Sequence, residues 1–227
     1  MVRENSCLSR TFLFCFVAFA MVAQYSAFAK KVQVELYYMP QCPGCRQLIS
    51  NSFNDAFHTE GFHDMAEVSF IPWGKKHRDL SSELHLEHHD RVFDNVLESC
   101  ALHTIGKDQQ ELQFAYIDCI DHTKTWTTDP SKVDRSCAKM IGLSEEQTKR
   151  IETCAVSQEG HDLAEANLQR SEEIGMEFAP WTRVDGEHSV AIDDAVWESL
   201  FDYVCRLYQG NHKSPLCPNE EMMTEQL

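Results

Sequence analysis

The sequence predicts an α/β fold with a helical insertion and disulfide staples. Three observations carry that expectation. Residues 31–39 alternate, with Val32, Val34, Leu36 and Tyr38 on one face and Gln33, Glu35 and Tyr37 on the other. This period of two marks a strand with one buried face. Cys42-Pro43-Gly44-Cys45 follows, and from Cys45 apolar residues recur at Leu48, Ile49, Phe53, Ala56 and Phe57. That is helical spacing, ended near Gly61. Residues 66–71 then form a second strand, stopped by Pro72. Strand, sharp turn, C-x-x-C, helix and strand begin a βαβ unit with a dithiol at a helix N-terminus, which is a thioredoxin-like arrangement.

The remaining elements follow in order. Residues 82–170 are mostly helical in pattern, with Val92, Val96 and Leu97 and later Ala164 and Leu168 at helical spacing. Residues 112–120 fit a buried helix or a strand. Asp129-Pro130 marks a turn or a helix start, and Ser144 with Gln147 three residues on fits a capping box. Residues 180–184 make a late strand headed by Pro180, Asp185-Gly186 a hairpin turn, and residues 190–192 the returning strand. Val196, Leu200, Tyr203, Val204 and Leu207 make an apolar helix face, with Gly210 as C-cap. Beyond it the tail is expected to be loose except where Cys217 ties it down.

The N-terminus is a separate physical object. Arg3 and Arg10 flank an apolar run over residues 11–23, and Ala27-Phe28-Ala29 supplies small residues at a cleavage point. Residues 1–29 therefore read as a signal peptide. An uncleaved anchor is the competing reading, although the run is short for a bilayer. No second candidate span follows, so no membrane span is expected after cleavage. Residues 30–227 then form the thioredoxin-like domain, with the helical insertion over about residues 82–172 and a short tail over residues 211–227.

Hydrophobic residues make up 43% and charged residues 25% of the chain, enough to build a core and solvate it. The formal net charge of -16 repels phosphate backbones and argues against nucleic acid as a partner. Cys7 and Cys15 leave with the signal segment. Eight cysteines remain, an even number in a chain bound for an oxidising route, which favours disulfides. If Cys42 and Cys45 are the working pair, then Cys100, Cys119, Cys137, Cys154, Cys205 and Cys217 are candidates for structural disulfides. Six cysteines allow fifteen connectivities, and spacing does not choose among them.

A reversible dithiol needs two sulfurs within bonding reach and one thiolate ready to attack. Two intervening residues at a helix start bring the sulfurs together. Cys42 is nearer the helix end, where unpaired amide donors and the macrodipole favour a thiolate. Cys42 is thus the expected nucleophile and Cys45 the resolving thiol. Pro43 suits the first helical position, where no amide hydrogen is needed. Gly44 leaves room for a substrate chain beside Cys42. Ala179 and Pro180 are the second half of the expected site: a cis bond there presents Ala179 backbone groups to an extended substrate, while a simple strand-starting proline is the alternative. The chemistry requires no metal or organic cofactor. It does require disulfide-bonded protein or peptide substrates, and a small thiol or other external reductant to restore the pair. A short-range structural disulfide or half a zinc site competes for the motif, but no second closely spaced cysteine pair is present. No metal site is expected. His85, His88 and His89 form a polar patch that reads first as a solvated helix face and second as a pH-tuned or metal-binding one.

These residues resemble the gamma-interferon-inducible lysosomal thiol reductase family. The resemblance runs from Val34-Glu35-Leu36-Tyr37-Tyr38 through Cys42-Pro43-Gly44-Cys45 and Phe70-Ile71-Pro72-Trp73-Gly74. It continues through Asn95, Glu98 and Cys100, the later cysteines, Ala179-Pro180-Trp181, and residues 204–210 with Cys217-Pro218. It implies a thioredoxin-like domain interrupted by helices, and reduction of protein disulfides in acidic endosomes or lysosomes; the signal segment equally allows secretion. The family's long signature opens with Cys-Gln-His-Gly and later carries Glu-Cys. This chain has His85-Leu86-Glu87-His88 and Arg91-Val92 there, so both cysteines are missing together. Loss of one structural disulfide accounts for that departure. A secreted binding protein that keeps the fold without turnover is the alternative from a different class, and a Cys42→Ser control separates the two.

Overall fold

The computed structural model describes residues 30–40, 42–73, 85–122 and 135–219, and the side chains of residues 85–94 are not among those described. The expected signal peptide and the Asp129-Pro130 turn lie outside the described residues, as do the side chains of the histidine patch. No helix among the described residues is long and apolar enough to cross a membrane.

The alternation of residues 31–39 becomes strand β1 (Val32–Tyr38), and the second strand is β2 (Ala66–Pro72). With β3 (Trp181–Val184) they form a three-stranded sheet of order β2-β1-β3. β1 is central, parallel to β2 with Leu36 beside Phe70, and antiparallel to β3 with Tyr37 beside Trp181. One face of β1 carries Val32, Val34, Leu36 and Tyr38 into the main core. The expectation of a single buried face needs correcting at Tyr37. It is fully buried on the opposite face, in a small cluster with Ile71 and Trp181.

The helix after the dithiol starts two residues earlier than its apolar pattern indicates. It runs as α1 (Pro43–Leu48), a π-helical turn (Ile49–Phe53) and α2 (Asn54–Phe57). A short α3 (Phe62–Met65) follows, entered through Gly61 at φ 83°. Between β2 and β3 come α4 (His85–Ile105), α5 (Gln110–His122), α6 (Arg135–Met140), α7 (Glu145–Ala155) and α8 (Gln158–Glu173). Residues 112–120 are therefore helix. Phe114 and Ile117 of α5 enter the main core, while Tyr116 enters a second core among the helices. The Ser144–Gln147 capping box is formed in both directions.

Three disulfides staple the domain: Cys100–Cys154, Cys119–Cys137 and Cys205–Cys217. The first ties α4 to α7, the second α5 to α6, and the third ties the last helix to the tail.

Residues 190–192 are not a returning strand. Asp185 and Gly186, at φ 49° and 87°, do turn the chain after β3, but only Val184 and Glu187 bridge across the turn. Ser189 then caps the Ile192 amide and starts α9 (Val190–Leu207). Val196, Leu200 and Val204 are buried as expected, while Leu207 is exposed. α9 is kinked at Ser199, where the backbone leaves helical geometry. The Ser52 hydroxyl accepts from the Leu200 amide at 2.8 Å and donates to the Val196 carbonyl, bridging two groups that a regular helix would pair directly. Gly210 is not the C-cap, a position Tyr208 takes instead; a Cβ on Gly210 would run into the Tyr208 ring. Nor is the start of the tail loose. Ser214 is buried, and its hydroxyl donates to the Glu60 carbonyl at 2.6 Å.

Candidate active site

Cys42 closes the turn after β1 and caps α1. Its amide donates to the Met39 carbonyl at 3.1 Å, and its carbonyl accepts from the Arg46 amide at 2.9 Å. Pro43 takes the first helical position, where a missing amide hydrogen costs nothing. One helical turn on, Cys45 points back under Cys42. Both thiols are free, with Cys42 half-buried and Cys45 fully buried. Burial pushes the Cys45 thiol well up. The Met39 amide, donating to its sulfur at 3.4 Å, opposes that shift, while Cys42 and Asp121 add to it. The two sulfurs thus sit close together in unlike surroundings, one open to solvent and one held as a neutral thiol.

The Ala179–Pro180 bond is cis. A Cβ placed on Gly44 would lie 3.6 Å from Cδ of Pro180 and 4.0 Å from the Cys42 sulfur. Gly44, Pro180 and Cys42 therefore converge although 136 positions of sequence separate Gly44 from Pro180. Ala179 and Cys42 are both half-buried against the same core. Every residue expected at the site from sequence, Cys42, Pro43, Gly44, Cys45, Ala179 and Pro180, is brought to one end of the sheet. The six remaining candidate cysteines stand apart in closed bridges.

Two groups of neighbours were not expected. Tyr38 ends β1 beneath the dithiol, and its hydroxyl donates to the Glu98 carboxylate of α4 in full burial. Asp121 of α5, also buried, acts electrostatically on both Tyr38 and Cys45. A carboxylate amid Val96, Leu97, Ser99 and Cys100 was the available signal for Glu98. On the other side of Pro180, Phe178, Trp181 and His188 form an aromatic group in which Trp181 and His188 stack at 3.4 Å.

Comparison with known proteins bears on the fold and the family. The profile of the family described as gamma interferon inducible lysosomal thiol reductase (GILT) matches residues 33–141. The gamma-interferon-inducible lysosomal thiol reductase of Carassius auratus is 26% identical over 188 residues, covering 80% of this chain and 70% of the relative. The gamma-interferon-responsive lysosomal thiol protein of Arabidopsis thaliana is 25% identical over 202 residues, covering 86% and 79%. Among solved structures, the MdbA thiol-disulfide oxidoreductase of Actinomyces oris superposes with a TM-score of 0.55 at 10% identity, covering 83% of each chain. That of Corynebacterium diphtheriae gives 0.53 at 19% identity, covering 76% and 85%. These likenesses establish the thioredoxin-like fold. Residues 33–141 carry the domain of the GILT family, and the likeness to its named relatives extends over most of the chain.

Proposed function

We propose that this protein is a thiol reductase that opens disulfide bonds in protein substrates through Cys42 and Cys45. The observation that carries the reading is the contrast among cysteines. Six of the eight in the described residues are closed in bridges, while Cys42 and Cys45 lie free at a helix start facing Pro180.

In the proposed cycle Cys42 attacks as a thiolate on one sulfur of a substrate disulfide. A Cys42–substrate bond forms, and the other substrate sulfur leaves with the bonding electron pair and takes a proton. Cys45 then gives up its proton and attacks the Cys42 sulfur. The second substrate sulfur leaves as a thiol, and the enzyme holds a Cys42–Cys45 disulfide. Two electrons have passed from the dithiol to the substrate. An external dithiol or two small thiols return the pair to the reduced state. Gly44 and Pro180 leave the Cys42 sulfur open to an extended chain, and Ala179 offers backbone groups beside it. Burial of Cys45 keeps it from competing for the first attack, since the thiolate is the attacking species.

The setting we infer is an acidic endosome or lysosome, or the extracellular space. The relatives are named as lysosomal proteins, and three structural disulfides suit an oxidising route. The test is reduction of an insulin-type disulfide substrate at acidic and at neutral pH. The wild-type protein is expected to be active at acidic pH, and Cys42→Ser to fall to the rate without enzyme. Equal rates for the two would favour a binding protein without turnover.

A further inference from the structure

We propose that Phe178, braced by Trp181 and His188, is a subsite for an aromatic or large aliphatic side chain flanking the cysteine under attack. The substrate class is then an extended peptide disulfide with apolar residues beside its cysteine. The inference rests on the reading of Cys42 as nucleophile and adds selectivity to it.

Phe178 immediately precedes the Ala179–Pro180 bond and is 48% exposed. Several large apolar side chains are exposed among the described residues, and Phe178 is the one beside the proline loop. Its ring is not loose. It lies tilted against the buried Trp181 ring at 5.0 Å and edge-on to His188 at 6.3 Å. Trp181 and His188 stack at 3.4 Å with their planes 17° apart. His188 is itself held, with Nδ1 3.0 Å from the Thr182 carbonyl and Nε2 3.8 Å from the Asp193 carboxylate. The other oxygen of Asp193 accepts from the Thr182 amide at 3.1 Å. The exposed ring therefore rests on a base fixed to both β3 and the first turn of α9.

A ring held this way loses little rotamer freedom when a ligand covers it. Two residues on from Phe178, Pro180 reaches to within 3.6 Å of the place a Gly44 side chain would take, so the chain that carries the ring passes directly beside the dithiol. A substrate chain extended past Ala179, with its disulfide at Cys42, carries flanking side chains toward this ledge. Exposed Glu172, Glu173 and Glu177 just upstream disfavour an acidic flank and favour a basic one, so apolar contact is isolated by peptides of equal charge.

The test is single-turnover oxidation of the reduced protein by two peptide disulfides, one with phenylalanine and one with serine flanking each cysteine. The phenylalanine peptide is expected to react about five- to tenfold faster at limiting concentration, the size of one aromatic contact. Phe178→Ala is expected to bring that ratio close to one, and Phe178→Leu to keep part of it. A wild-type ratio near one, or an undiminished ratio in Phe178→Ala, would overturn the subsite while leaving the dithiol reading intact. No reaction with either peptide would overturn the dithiol reading and the subsite together.

Discussion

The sheet region and the helices inserted between β2 and β3 hold together by different means. Around the sheet, a cluster of phenylalanine rings packs within an otherwise aliphatic core. Phe53, Phe57, Phe62, Phe70 and Phe114 contact one another under β1 and β2, and Phe57 stacks on Phe114 at 4.3 Å. Among the described residues, the inserted helices' own core has Tyr116 as its one buried aromatic side chain, amid residues such as Val96, Ala101, Ala138 and Ile151, and it is closed by Cys100–Cys154 and Cys119–Cys137. The difference teaches where a dithiol can afford to cycle. Cys42 and Cys45 sit on the region whose cohesion does not depend on them, and the cysteines that must stay closed lie elsewhere.

Breaking the staple of the inserted helices is the harshest test of that comparison. Replacing Cys100 and Cys154 together by alanine opens a loop of 54 residues. Chain entropy sets the expected cost at about 4 kcal/mol, read as a lower urea midpoint. Hydrogen exchange is expected to rise in α4 and α7 before it rises in β1. In contrast, oxidising the Cys42–Cys45 pair is expected to leave the exchange of the inserted helices unchanged. Equal loss of protection in sheet and helices would remove the distinction between the two regions.

A smaller effect sharpens the boundary between them. The Tyr38–Glu98 hydrogen bond joins the end of β1 to α4 in full burial. Tyr38→Phe keeps the ring and removes a donor from a buried carboxylate. It is expected to cost about 1–3 kcal/mol. Unfolding midpoints of wild type and variant at neutral pH measure it. A change within error would mean that the contact does not couple the two regions.

Much of this was legible in the sequence because period and motif agreed. β1, β2 and the dithiol helix each showed a pattern within one short window, and Pro43 and Ser144 marked helix starts by their own chemistry. Residues 190–192 misled because three residues fit either period, and only the Ser189 cap and Asp193 in the first turn decide for helix. Residues 112–120 were ambiguous for a different reason. α5 lies between two cores, so it is apolar on more than one face. Tyr37 looked solvent-facing because nothing in β1 announces that Trp181 and Ile71 cover it. The disulfide pairing was not readable, since it depends on helix packing and not on spacing. The convergence of Gly44 with Pro180 was expected from two separate motifs, whereas the ledge at Phe178 needed the stack behind it to be seen.

The proposed cycle requires Cys42 to make the first attack while Cys45 waits beneath it. The most direct measurement is covalent trapping of a peptide disulfide by the two single serine variants, read by intact mass and peptide mapping. Cys45→Ser is expected to accumulate one peptide bonded to Cys42, because nothing resolves it, and Cys42→Ser to accumulate none. A stable adduct on Cys45 in Cys42→Ser, or no adduct in either variant, would contradict it.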